Sequence, residues 1–166
     1  MRFPSTAYAP TTGDWNWVVA WHVDVHTESY GAYSTALGVY TDYPTVSGQV
    51  GVNPRFVLRL AGGNSASPTY NGTSCALPSN SLKYDHWYRL VFHLVWSADS
   101  SVGLVQWWVD GAQICSLHFP TLFRNPDGTT STNAFGLYNY HYAAPWNSRV
   151  DVDDVAIGPS LSSVGG

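Results

Sequence analysis

Between Asp14 and His26 apolar and polar residues alternate in a way that predicts a strand with two unlike faces. Side chains point to opposite sides of a strand in turn, so Trp17, Val19, Trp21, Val23 and Val25 share one face and Val18, Ala20, His22, Asp24 and His26 the other. The first set reads as core and the second as a working surface with His22 at its middle. The same period returns further on. In 54–60, Phe56, Leu58 and Leu60 alternate with Arg55, Val57 and Arg59, and Gly62-Gly63 ends the strand. In 87–97, Tyr88, Leu90, Phe92, Leu94 and Trp96 oppose Arg89, Val91, His93, Val95 and Ser97. In 103–111, Val105, Trp107 and Val109 oppose Leu104, Gln106 and Trp108, and Asp110-Gly111 signals a tight hairpin.

Shorter signals fill in the chain. Strands are expected at Leu37 to Tyr40, at Gln113 to Phe119, and at Ala134 to Tyr142, where Tyr138 and Tyr140 are in phase and His141 is out of phase. A last strand spans Arg149 to Ile157, its phase changing across Asp153-Asp154 as a bulge would make it. Turn-rich stretches cover 1–14, 28–34, 41–53, 64–85 and 120–132. There is no helical period and no internal repeat. Spaced strands and hairpin turns predict an all-β, two-sheet β-sandwich, best described as a jelly roll. Trp21, Trp96 and Trp107 go to its core and Trp108 to its surface.

Composition supports this picture and narrows the partners. A chain of 166 residues suits one domain with a core of its own. Charged residues make up 11% and aromatics 15%, with 15 Gly and 10 Pro, a balance poor in helix formers. A net charge of −4 with only 7 Lys plus Arg leaves no basic stripe for a phosphate backbone, which excludes nucleic acid as partner. No apolar run reaches membrane-spanning length, and Met1-Arg2-Phe3-Pro4 lacks the apolar centre of a signal peptide. Cys75 and Cys115 can form one bridge or remain thiols. Asn71-Gly72-Thr73 matches a glycosylation acceptor, a triplet common by chance. Asp151, Asp153 and Asp154 read as a charged turn, with calcium binding the alternative; they lack calcium-loop spacing, so no cofactor is expected. His26, His86, His118 and His141 make no metal-ligand pattern. Neither a Ser-His-Asp order nor paired carboxylates for glycoside hydrolysis is evident.

If the polar phases lie side by side on one sheet, they bring together His22, Asp24, Arg59, Arg89, His93, Gln106, Trp108 and Tyr138, with Tyr140 in phase beside them. Sugars stack apolar faces on Trp and Tyr, amides and carboxylates take hydroxyls, and arginines pair with sugar carboxylates. That grouping predicts a carbohydrate groove and an acidic polysaccharide as partner.

Several short segments carry a family resemblance. Gly136-Leu137-Tyr138-Asn139 resembles the G-x-Y-N core of the Y-F-K-x-G-x-Y-N-Q motif of jelly-roll alginate lyases. Ala20-Trp21-His22 resembles their Q-x-H strand with the first residue changed. Asp85-His86-Trp87-Tyr88, Trp96-Ser97, Gly103 to Gly111 and Asp153 to Gly158 are similar in order and spacing to heparin-lyase-I-like and glucuronan-lyase-like polysaccharide lyases. The resemblance implies a concanavalin-like jelly roll, secreted, whose concave sheet binds an acidic polysaccharide and cleaves it by β-elimination. It carries the family's histidine to His22, as neutraliser or base, and its tyrosine to Tyr138, as acid or as acid and base.

The departures are specific. Ala20 stands for the glutamine, Ala134 for the lysine and Tyr140 for the last glutamine, and the family's upstream R-x-E strand has no counterpart. The expectation is a lyase shortened at its N-terminus, or one whose neutraliser is Arg59, Arg89 or His93. A non-catalytic carbohydrate-binding module on the same fold is the alternative function, and a sandwich without ligand a third. A shortened sheet has an open edge, so the expected state is a monomer or an edge-mediated dimer.

Overall fold

The computed structural model describes residues 1–2, 15–27, 31–41, 54–78, 81–131, 138–142 and 151–165. Their strands are β1 (Trp15–Thr27), β2 (Gly31–Thr41), β3 (Pro54–Asn64), β4 (Ser67–Ala76), β5 (Leu90–Val95), β6 (Leu104–Val109), β7 (Ala112–His118), β8 (Phe123–Arg124) and β9 (Tyr138–Tyr142). They form two packed sheets, an all-β sandwich. One is six-stranded in the order β4-β3-β2-β1-β9, with β8 pairing β3; the other is three-stranded, β5-β6-β7. Arg2 forms isolated bridges to both Trp87 and Asp151, and its guanidinium holds the Asp151 carboxylate at 2.5 Å.

The two-residue period explains where the core sits. Phe56, Leu58 and Leu60 of β3 face Val105, Trp107 and Val109 of β6, and all six are buried. Phe92 stacks on Trp107 at 6.0 Å, and Phe56 meets it edge-on at 6.3 Å. Each such side chain contributes roughly 1.5–3 kcal/mol on leaving water. A disulfide between Cys75 on β4 and Cys115 on β7 ties the two sheets together along one side.

Several expected boundaries move. β2 runs eleven residues, where a turn and a short strand were expected, and β4 occupies the polar stretch read as turns. β3 continues through Gly62-Gly63 because the chain after β7 crosses it closely: a Cβ on Gly62 would collide with the Pro120 carbonyl oxygen. β5 starts at Leu90, since Tyr88 and Arg89 are engaged instead with Met1 and the β6–β7 hairpin. That hairpin turns at Asp110-Gly111 as expected, with φ of 50° and 82°. Among the described residues of the last expected strand, Asp151 forms a single bridge and Val152 to Ile157 make no ladder. Asp154, with φ of 53°, turns the backbone where the bulge was expected. The expected loops at 3–14 and 42–53, the segment 134–137 that includes Gly136, and Arg149 and Val150 lie outside the described residues.

Candidate functional site

Register decides which positions share a face. On the large sheet Leu58 pairs with Leu37, which pairs with Trp21, so these positions belong to the core face. Arg59 pairs with Ala36, which pairs with His22, and this row belongs to the opposite face, turned from the core and named the open face below. The decisive irregularity lies in β1. Val19 opposes Gly38 while Trp21 opposes Leu37, so Ala20 has no opposite residue and β1 changes phase there.

That bulge corrects the simple alternation expected for this strand. Trp17 and Val19 leave the core set and join His22 and Asp24 on the open face, while Val18 joins Trp21, Val23 and Val25. Tyr138 opposes Val19 and Tyr140 opposes Trp17, so β9 delivers both tyrosines to the His22 face. Its central rows are Tyr140, Trp17, Tyr40 and Arg55; Tyr138, Val19, Gly38 and Val57; His22, Ala36 and Arg59; Asp24 and Ser34. Neighbouring strands lie about 4.8 Å apart, so the His22 and Arg59 backbones stand roughly 10 Å apart across β2, with Tyr138 on the opposite flank of His22. The Arg55 guanidinium donates to the Leu77 carbonyl at 3.5 Å.

Five of the expected site residues, His22, Asp24, Arg59, Tyr138 and Tyr140, thus share one face. The other four do not join them, because β5 and β6 belong to the small sheet, and the single groove expected from sequence divides in two. His93, Gln106 and Trp108 occupy the outer face of that sheet, where His93 Nδ1 lies 2.8 Å from Gln106 Oε1. Arg89 precedes β5, its backbone N–H donating to Asp110 Oδ1 at 2.8 Å and its guanidinium donating to the Gly165 carbonyl. It lies at the hairpin end, beside Asp110 and one residue before the Leu90–Val109 pair.

Sequence reasoning missed the floor between the two flanks. Ser34, Ala36 and Gly38 occupy successive open-face positions of β2, all small, between the β1 positions and Arg59. Their alternation with Tyr33, Thr35, Leu37 and Val39 was the available signal. It was masked by reading 28–34 as a turn. Among the described residues no three His, Cys, Asp or Glu side chains gather as metal ligands, and Asp151 is taken up by Arg2.

His22 on β1, Tyr138 on β9 and Arg59 on β3 hold positions on one face, and an imidazole, a phenol and a guanidinium can between them neutralise a carboxylate, take a proton from carbon and return one to oxygen. The family model described as Polysaccharide lyase matches residues 1–151. No curated protein and no solved structure matches the chain.

Proposed function

Because the chain belongs to the polysaccharide lyase family, we propose that it cleaves a uronic-acid-containing polysaccharide by β-elimination on the open face of the six-stranded sheet. The observation that supports this reading is the strand register, in which His22 shares a row with Arg59 and the phase change at Ala20 brings the Tyr138 position to the same face. Arg59 neutralises the uronate carboxylate, which acidifies the proton on the carbon bearing it. His22 removes that proton. The electron pair forms a double bond to the neighbouring ring carbon and expels the glycosidic oxygen, which Tyr138 protonates as it leaves.

Ala20 fits this division of labour. It occupies the bulge, so no amide is needed there, and the cation across the row takes over the carboxylate. Asp24 and Tyr140 then bind neighbouring sugar units, one by accepting hydroxyl hydrogen bonds and the other by stacking. The Cys75–Cys115 disulfide is in keeping with action outside the cell, where such bonds persist.

The test is incubation with alginate, glucuronan and heparin while following ultraviolet absorbance of unsaturated uronate ends. Absorbance is expected on at least one polymer, with His22→Ala and Tyr138→Phe each lowering the rate by about a hundredfold or more. Elimination that survives both substitutions overturns the assignment. Binding without absorbance supports the carbohydrate-binding module instead.

A further inference from the structure

We propose that the outer face of β5, β6 and β7 is a second, non-catalytic glycan-binding surface that takes an uncharged stretch of polysaccharide. It lies on the opposite side of the sandwich from His22, since each sheet gives its other face to the shared core. Register arranges it in three rows: Val91, Trp108 and Gln113; His93, Gln106 and Ser116; Val95, Leu104 and His118. None of these nine is Lys, Arg, Asp or Glu, whereas the open face of the large sheet carries Arg55, Arg59 and Asp24.

The middle row is hydrogen-bonded across all three strands. His93 Nδ1 lies 2.8 Å from Gln106 Oε1, and Gln106 Nε2 donates to Ser116 Oγ at 3.2 Å. An amide oxygen only accepts, so Nδ1 is the donor and Nε2 is left to meet a ligand. The Ser116 hydroxyl, accepting from Gln106, keeps its own proton to donate. His93 and Ser116 are both exposed, so the row offers a ring nitrogen at one end and a hydroxyl donor at the other, held in place by the amide between them.

Trp108 is half-buried on the same face, one row away, about 7 Å along β6 from Gln106. β7 bulges beside it at Ile114, since Trp107 opposes Cys115 while Trp108 opposes Gln113. An indole held beside pre-oriented donors and acceptors suits a sugar ring that stacks its C–H face and points hydroxyls along the sheet. A carboxylated sugar lying over these three rows would give up water with no cation among their nine residues to receive it, and the Arg89 guanidinium at the hairpin end already donates to the Gly165 carbonyl, so the surface favours a neutral unit.

The proposal does not rest on elimination at His22, and its test is read separately. The whole chain is run in native gels containing galactomannan, arabinoxylan or mixed-linkage β-glucan, with a polymer-free gel as reference. Retardation is expected in at least one neutral gel. Trp108→Ala should weaken that binding about tenfold, in line with the loss of one stacked ring, and Trp108→Phe should retain most of it. Gln106→Ala and Ser116→Ala, which alter the hydrogen-bonded row and leave the indole in place, should also weaken it and serve if Trp108→Ala does not fold. His22→Ala should leave it unchanged. No retardation in any of the three gels, or retardation indifferent to the Trp108 and Gln106 changes, overturns the proposal. Neutral binding without ultraviolet absorbance on uronate polymers leaves it standing while removing the lyase reading.

Discussion

Tyr88 sits where the core meets the approach to β5, 6% exposed, its ring edge-on to Phe56 at 4.8 Å and to His86 at 4.6 Å. Its hydroxyl accepts from the Lys83 backbone N–H at 2.6 Å. Burial, reinforced by the Asp110 carboxylate, raises the phenol above its ordinary value of 10.0, and the Lys83 hydrogen bond only partly offsets this. A phenol whose folded pKa is raised contributes stability that is fully present below its unfolded pKa and lost as pH climbs through the folded one. Tyr88→Phe removes both the hydrogen bond and the titration. We expect it to lower stability by about 1 kcal/mol at neutral pH, with the gap to the parent narrowing near pH 11. Urea midpoints at the two pH values check this, and a gap that stays constant contradicts it. The alternation of Tyr88, Leu90 and Phe92 already placed this residue on the apolar phase. Its polar partners come from 83 and 110, which no local pattern reveals.

Strands with one buried face were legible because burial imposes the period: β6 follows its expected alternation residue by residue, and Phe56, Leu58 and Leu60 of β3 are buried as expected. Two kinds of strand were hidden. β4 is rich in Ser, Thr, Asn and Gly, which read as turn residues, and its place comes from pairing with β3 and from the disulfide at Cys75. β1 was recognised but given the wrong phase before Ala20, because one extra residue shifts the face without changing composition. The same local blindness put the end of β3 at Gly62-Gly63. Gly62 is there for a close crossing, not for a turn. Gly62→Ala is therefore expected to cost about 1–3 kcal/mol through collision with Pro120, and to disturb the Gly63 to Phe123 pairing with β8. Gly111→Ala has nothing within 4 Å of the new methyl, and should cost about 1–2 kcal/mol from its positive φ alone. Thermal melts with proton spectra of the Phe123 region separate the two. A Gly62→Ala chain that melts like the parent refutes the crossing argument.

For the molecule as a whole, sequence could list the groups capable of handling sugar but could not assign them to sheets. His22 and His93 read alike as mid-strand histidines, and only the order of strands sends them to opposite sides. The two sheets are joined by apolar packing and by one covalent link. The Cys75–Cys115 bridge closes a loop of sequence separation 40, which by chain entropy contributes about 4 kcal/mol. Reduction, or Cys75→Ala with Cys115→Ala, is expected to lower the melting temperature by about 10 °C, checked by calorimetry with and without a thiol reductant. An unchanged melt shows that packing alone holds the sheets.

The pairing of β9 with β1 bears on the order of events during folding. β1, β2, β3 and β4 are consecutive antiparallel neighbours, so His22 and Arg59 are brought together by near-neighbour pairing. Tyr138 arrives from the far end of the chain, and closing so long a loop is entropically costly and slow. On the proposed roles, a nascent chain acquires its grip on an acid sugar before it acquires the group that releases the cut end, and polymer already present at that stage would act as a ligand for the half-made sheet.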